Sequence, residues 1–501
     1  MPEQNVSDQY PTWVGLIYIF NLIVGTGALT LPAVFSRAGW ALGLSVILVL
    51  AFISFITVTF VIEAMASANA IVTWRHIQHR KRVLQTIGES GLSNSDSEDT
   101  PLVAPLSTSP DHLDMTNSYY VIQDKIEMGQ MASIFFNRFG TTLFYLCFAI
   151  YLYGDLSIYG AAVAKSLVDV ACTYLPKNLT CNDTIPDTEL CWEGLMFNRL
   201  DTYRIYLTIF VLLLGPFVFF NVQKTRHLQI LTSVMRWLAF TVMIAYALKN
   251  LVVYGPRGDP PVANLAGIPS LFGACVYSFM CHHSLPALVA PIVNKSKLSR
   301  FLAFDYTLIV LFYLLLALTG IFAFERLDDL YTLDFGPRVL GDCSKSDNIS
   351  MLLMEYFLAL FPVFTLSTSF PIIAITLRNN LQSLFLKEDT SYNLRLQKLV
   401  FPILAVVPPY LIAMITKDLS ILVSITGSYA GAGIQYLIPT FLVYYARQKT
   451  NKVIGLRVIN KFGSPFSGRC WLIFVIAWAI TCMILVSVNF IQIHLQSWIS
   501  Q

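Results

Sequence analysis

The residues able to do chemistry are few, and they sit inside long apolar runs. The first group is Asn21-Leu-Ile-Val-Gly25-Thr26-Gly27-Ala28-Leu29-Thr30-Leu-Pro32. Two glycines one residue apart, a hydroxyl between them and a proline soon after make a poor continuous helix. Carbonyls exposed at such a break can hold a cation or an ammonium. Amides opening the next half-helix can hold a carboxylate. Together the two ends suit a zwitterion. Glycines for close helix packing account for the same stretch equally well. The second group is Cys275-Val-Tyr277-Ser278-Phe279-Met-Cys281-His282-His283-Ser284-Leu-Pro286. Histidine, serine and proline inside an apolar run again break the helix. His282 is expected to line the site, and His283, on the other side of the helix, to pack. The third group is the charges: Asp155, Arg236, Glu63 and Glu355 all lie within apolar runs. A charge at mid-bilayer costs roughly 2.5–3.5 kcal/mol on insertion scales, so each asks for a role. Glu63 and Glu355, near span ends, are expected to reach for the interface.

These groups must be positioned by membrane helices. The 501-residue chain is 55% hydrophobic and 13% charged, with a mean hydropathy of +0.62. Soluble proteins carry about twice that charge. A net charge of only +3 provides no basic face for nucleic acid. Windows of about 20 apolar residues give about eleven spans: 13–37, 40–68, 140–171, 203–222, 228–253, 267–292, 301–324, 351–377, 399–416, 419–446 and 470–493. The first is no cleavable signal peptide, because it lacks a basic start and a second span follows it directly. The predicted fold is thus an all-α polytopic membrane protein. Spans one and six are broken at matching places if spans 1–5 and 6–10 are inverted repeats, with span eleven extra. Paired broken spans point to a transport site.

Lys and Arg gather on one side, at 75–82, 224–226, 295–300, 387–398 and 447–469, which makes that side cytosolic. The expected layout is a cytosolic N-terminus (1–12), spans one and two (13–68), and a cytosolic, largely disordered loop (69–139). Spans three to five (140–253) follow, with a luminal loop at 172–202. Spans six to ten (254–446) carry a luminal loop at 325–350. A cytosolic loop (447–469), span eleven (470–493) and a luminal C-terminus (494–501) complete it. The sequons at Asn178, Asn182 and Asn348 fall on the luminal side, and those at Asn5 and Asn294, on the other, should be unused. Cys172, Cys181, Cys191 and Cys343 lie in the luminal loops as disulfide candidates. Four cysteines allow three pairings, and all stay open. The other five read as small buried hydrophobes.

Residues 76–127 turn from basic to Ser/Asp/Glu-rich and then proline-punctuated, too polar to fold alone. Two short patterns there look like endosomal and lysosomal sorting signals: Tyr119-Tyr-Val-Ile122, and an imperfect acidic dileucine ending in Leu102-Val103. They favour a lysosomal or endosomal membrane over the plasma membrane. The loop could also engage a cytosolic partner.

The Asn21–Leu31 stretch resembles the Asn-x-x-x-Gly-x-Gly-x-Leu signature of the amino acid/auxin permease family. Ser278-Phe279-Met-Cys281-His282 resembles its span-six signature, and Ile425-Thr-Gly427-Ser428 its span-ten Thr-Gly-Ser. The layout matches over nearly the whole chain outside 76–127. The resemblance implies a five-plus-five inverted repeat and a central amino-acid site, here Gly25, Thr26, Gly27, Ala28, Leu29, Tyr277, Ser278, Phe279 and His282. It implies no cofactor. Sodium-coupled relatives bind the ion between spans one and eight, here near Asn21, Thr365 and Thr368. In others a cation on span five, here Arg236, takes that place. Arginine does not release a proton at useful pH, so the proton carrier would be Asp155, His282 or a carboxylate paired with Arg236; Asp155 is the first choice, since a carboxyl out of water favours its neutral form. The long insert and the doubled histidine depart from the pattern.

The expected function is proton-coupled symport of a neutral or small amino acid. The alternatives are sodium-coupled symport, and an amino-acid sensor signalling through the 76–127 loop. No enzyme motif such as Walker A, Gly-x-Ser-x-Gly or His-Glu-x-x-His is found.

Overall fold

The computed structural model describes residues 9–90, 119–174, 185–219, 226–336, 349–386, 394–455 and 458–499. Within them the chain is helical, with no strand beyond two isolated bridges. Among the described residues nine helices are long and apolar enough to cross a bilayer. A tenth crossing is the pair α1 (Thr12–Ile23) and α2 (Thr26–Ala38), bent by 51° at its break. α3 (Trp40–Ser90) leads to α4 (Met128–Phe135) and α5 (Arg138–Ala171). Then come α6 (Arg199–Leu214) and α7 (Arg226–Tyr254). The sixth apolar stretch is divided into α8 (Ile268–Ser278) and α9 (Leu285–Val289), neither long enough to cross alone. α10 (Leu298–Ala323), α11 (Ile349–Phe385) and α12 (Leu394–Ile415) follow. Span ten is α13 (Leu419–Thr426), a π-helical stretch over 427–437, and α14 (Ile438–Val453). α15 (Arg469–Ile499) is the last.

α2, α3, α5, α8, α13 and α14 form the inner layer, and α6, α7, α12 and α15 lie outside it. Small residues set the closest approaches. A Cβ on Gly427 would stand 2.0 Å from the Gly273 carbonyl oxygen, and one on Gly154 2.2 Å from Thr426 Oγ1. The Thr-Gly-Ser of span ten is therefore where α13 crosses α8. Gly39 turns the chain from α2 into α3 at φ +98°, a left-handed conformation that glycine adopts without a side-chain clash.

Three sequence expectations change here. Helix α3 does not end near 68 but runs to Ser90, because 69–87 holds no proline or glycine and is rich in helix formers. The far end of the expected loop is also ordered. Asn69 Oδ1 accepts from the amides of Gln123 and Asp124, at 3.3 and 2.9 Å, and its Nδ2 donates to the Asp124 carbonyl at 3.3 Å. This pins 119–126 along α3, with Tyr120 and Ile122 buried and Tyr119 partly so. A sorting receptor would have to peel that segment off to read it. Leu102 and Val103 lie outside the described residues, as do Asn178, Asn182, Asn348, Cys181 and Cys343. Of the cysteine candidates, Cys172 and Cys191 form a disulfide. Cys275, Cys281 and Cys482 are buried, Cys147 is partly so, and Cys470 is exposed.

Glu63 does not reach for an interface. Its carboxylate accepts two bonds from Arg447, from Nε at 2.7 Å and Nη2 at 2.8 Å, and a third from the Ser464 amide at 2.8 Å. The pair clamps α3 to α14 and to the loop before α15. Removing one partner from such a buried pair costs about 3–5 kcal/mol. Arg447→Met should therefore sharply lower the folded fraction and the melting temperature in size-exclusion and thermal assays. Glu63→Gln/Arg447→Met should recover most of the loss. Equal stability of Arg447→Met and wild type would overturn that role.

The loop after α10 folds back over α2. The Tyr331 amide donates to the Leu29 carbonyl at 2.9 Å, and Arg37 at the end of α2 pairs with Asp329 at 2.6 Å. In the same loop Asp334 is buried. One oxygen accepts from the Asp328 amide at 3.0 Å, and the other has no hydrogen-bond partner. Burial first, then the nearby carboxylates of Asp328, Asp169 and Asp329, push its pKa well above the usual carboxylate range. The folded loop thus keeps a proton that the unfolded chain releases near its ordinary pKa of about 4. Stability from this group is present in acid and is lost as pH rises toward the folded value. The melting temperature should fall between pH 5 and pH 7.5 in wild type and fall less in Asp334→Asn. Identical slopes would remove Asp334 from the account.

Candidate functional site at the two broken helices

The breaks of spans one and six meet. A Cβ on Gly27 would lie 2.6 Å from Ser278 Cα and 2.9 Å from its amide nitrogen, so the two backbones touch there. Gly25 differs. A Cβ there would find only the Ile23 carbonyl, at 3.9 Å. Gly27 is glycine for packing, whereas Gly25 faces open space.

The carbonyl end of α1 is already satisfied. Arg236, from α7, donates through Nη1 to the Asn21 carbonyl. Tyr313, fully buried on α10, shares its hydroxyl hydrogen between the carbonyls of Ile23 and Ser278, each at 2.9 Å. One phenol thus ties the carboxyl end of α1 to that of α8. The amino end of α2 is different: no side chain caps it at Gly25. Uncapped helix amides and the positive end of the dipole attract an anion.

Beside that end lies a buried polar chain. The Tyr277 hydroxyl donates to Asp155 on α5. Since its one hydrogen goes there, Thr26 is the donor in its 3.3 Å contact with the Tyr277 oxygen. Tyr159, one turn past Asp155, lies near Thr26, Asp155 and Arg236. Ala28, Leu29, Ser278 and Phe279 are buried around these groups. Phe279 stacks on Tyr306 with ring centroids 6.1 Å apart.

His282 lies on a different contact. Its Nε2 stands 2.8 Å from the Thr57 hydroxyl of α3. That hydroxyl directs its hydrogen to the Ser54 carbonyl, at 3.0 Å. Nε2 of His282 is therefore the donor, and Nδ1 is buried without a partner. His283 packs between Phe148 and Tyr151, ring centroids 5.6 Å from each.

The residues named for sodium do not form one hydrogen-bonded group. Thr365 and Thr368 donate to carbonyls of their own helix, at 2.9 and 2.8 Å, and neither bonds to Asn21 or Arg236 among the described residues. Both polar atoms of the Asn21 side chain are buried without partners. No carboxylate within the described residues pairs with Arg236. Glu355 is buried on α11.

Sequence reasoning missed Tyr313, Tyr159, Thr57 and Asp305. Asp305 is buried on α10 with one oxygen unpartnered. It carried a signal, a carboxylate as the fifth residue of an apolar span. Tyr159 carried a weaker one, its i+4 spacing from Asp155. An aromatic in an apolar run, like Tyr313, carries none.

The broken helices and the helical, multi-span architecture are those of a membrane transporter, and comparison with known proteins agrees. A family model described as transmembrane amino acid transporter protein matches residues 9–93 and 113–486, and the chain belongs to that family. Its relatives include a transmembrane protein 104 homolog of Drosophila melanogaster, 53% identical over 96% of this chain and 97% of the relative. Transmembrane protein 104 of Homo sapiens is 48% identical over 96% and 97%. A Dictyostelium discoideum homolog is 31% identical over 95% and 96%. The resemblance read from the sequence, to the amino acid/auxin permeases, is thereby borne out, and these relatives place the likeness in the transmembrane protein 104 branch.

Proposed function

We propose that this chain is a secondary active amino-acid transporter, driven by proton symport, with its site at the breaks of spans one and six. The observation that carries the reading is the uncapped amino end of α2 beside the Thr26–Tyr277–Asp155 chain. The free amides would receive the substrate carboxylate. Tyr277 and Thr26 would orient it, and Gly25 leaves room for it. Asp155, at the far end of that chain, would carry the proton. Arg236, a fixed cation on the Asn21 carbonyl, would occupy the place where other members bind sodium, which favours protons over sodium. Spans one, two, six and seven would rock against the rest, in two halves related by inversion.

The side carrying Lys295 and Arg447 is the cytosolic one in this reading, by the charge bias. The Cys172–Cys191 disulfide on the opposite side fits an oxidising lumen or exterior. A lysosomal or endosomal membrane is the proposed residence.

The test is uptake of a labelled amino-acid mixture into proteoliposomes under imposed proton or sodium gradients, with Arg236→Ala alongside. Accumulation should follow the proton gradient in wild type, and Arg236→Ala should lose it. Accumulation that follows sodium instead would overturn the coupling. Absence of flux with amino-acid binding intact would favour the sensor.

A further inference from the structure

On the face where α9 ends and α10 begins, two segments remote in sequence line an open groove of about 260 Å³. Lys295, Lys297 and Arg300 line it from one segment, with the hydroxyl residues Ser296 and Ser299, and Lys461 lines it from the loop before α15. Among its described lining residues none is acidic. Among the described residues none of the four cations forms an ion pair. The Lys295 ammonium turns back to the Ile292 carbonyl at 2.5 Å, and burial holds its pKa below the ordinary lysine value. It is a half-buried cation with no ion-pair partner among the described residues.

The excess of Lys and Arg on one side of a membrane protein explains the sign of these charges. It does not explain their convergence. Four cationic residues around one groove repel, and no ion pair among the described residues offsets them. The amino end of α10 adds to the imbalance, since Lys297 offers no capping acceptor and the first turn holds no acid.

Depth identifies the occupant. α10 enters its apolar span directly after Arg300, and Phe301 and Val293 beside it are exposed apolar side chains. The groove therefore sits at the level of lipid headgroups. We propose that this groove binds a headgroup bearing more than one phosphate, carried on a membrane lipid. The source of the ligand rests on the proposed orientation of this face toward the cytosol; the charge complementarity does not.

The groove adjoins the start of α1. Residues 10–12 are strapped to the strip just before Lys295. The Tyr10 amide donates to the Pro291 carbonyl at 3.2 Å, the Val293 amide to the Tyr10 carbonyl at 3.1 Å, and Thr12 Oγ1 to the Asn294 carbonyl at 2.7 Å. A headgroup held by Lys295 and Lys297 would steady the strap that closes α1 against α9.

The test uses the purified full-length protein in detergent, with binding read by thermal shift. The probes are short-chain phosphatidylinositol bisphosphate, phosphatidylcholine, soluble inositol trisphosphate and inorganic phosphate. Lys297→Gln/Lys461→Gln is compared with Lys398→Gln/Lys452→Gln, which removes the same charge elsewhere on that face. The bisphosphate lipid should raise the melting temperature of wild type where phosphatidylcholine does not. Its affinity should drop about thirtyfold in Lys297→Gln/Lys461→Gln, at about 1 kcal/mol per lost cation near the surface, and stay within about twofold in the control pair. Equal binding of soluble inositol trisphosphate with the same loss would keep the site and change its source. No shift with any phosphate probe, or an equal loss in the control pair, would overturn it. None of these readouts requires transport, so they stand apart from the proton-symport reading.

Discussion

Asp155→Asn should abolish proton-driven uptake and leave the protein folded. The asparagine oxygen can accept the Tyr277 hydroxyl as the carboxylate does, so the contact between α5 and α8 survives. The exchangeable proton is lost. Removing a group that transfers a proton typically lowers a rate by about 10²–10⁴-fold. Initial rates under an imposed acid gradient should fall at least into that range. Counterflow between equal amino-acid pools, which needs no net proton movement, should persist. Tyr277→Phe keeps the carboxyl and removes one bond to it. A hydrogen bond to a charged group contributes about 1.5–3 kcal/mol, so uptake should fall roughly tenfold or more. Gradient-driven uptake undiminished in Asp155→Asn would move the proton to another group, with Asp305 next to be tried.

The second large effect separates two glycines that look alike in the sequence. Gly27→Ala places a methyl 2.6 Å from Ser278 Cα, and backbone cannot rotate aside as a side chain can. Overpacking of this kind costs typically about 1–3 kcal/mol. Gly27→Ala should lower the melting temperature and the folded yield. Gly25→Ala meets nothing closer than 3.9 Å and should fold as wild type does. Gly25→Leu should also fold, and it should lose uptake by at least about 10²-fold, because its side chain fills the space beside Thr26 at the uncapped end of α2. A Gly25→Leu protein that folds and transports normally would remove the site from this break. If instead Gly25→Ala and Gly27→Ala prove equally unstable, both glycines are for packing.

The same contrast marks how far the sequence could be read. Broken spans were legible because glycine, proline and serine are poor company for a continuous helix, and Asp155 because a charge stands out in an apolar run. What the glycines do was not legible, since close packing and an open ligand site both call for a missing side chain. Only the neighbour of each Cβ separates them. Glu63 was misread for a related reason. Depth along its helix pointed to an interface, but its partner Arg447 comes from span ten, and nothing local announces it. Tyr313 was invisible because a phenol in an apolar run has the pattern of core, yet its one hydrogen joins both breaks. The tyrosine motif at 119–122 matched by composition alone, and the pattern could not anticipate that Asn69 would hold that segment against α3.

The length of α3 has a mechanical meaning. Thr57, which contacts His282 at the break of span six, and Ser90 belong to one unbroken helix. At 1.5 Å per residue about 50 Å of rod separate them. A tilt of about 10° at the level of Thr57 would swing the Ser90 end by roughly 9 Å on that lever arm. The polar insert that begins at 91 is thus tethered to the tip of a pointer whose pivot touches the break of span six. A fluorophore attached there would turn small rocking motions of span two into displacements large enough for distance measurements in single molecules.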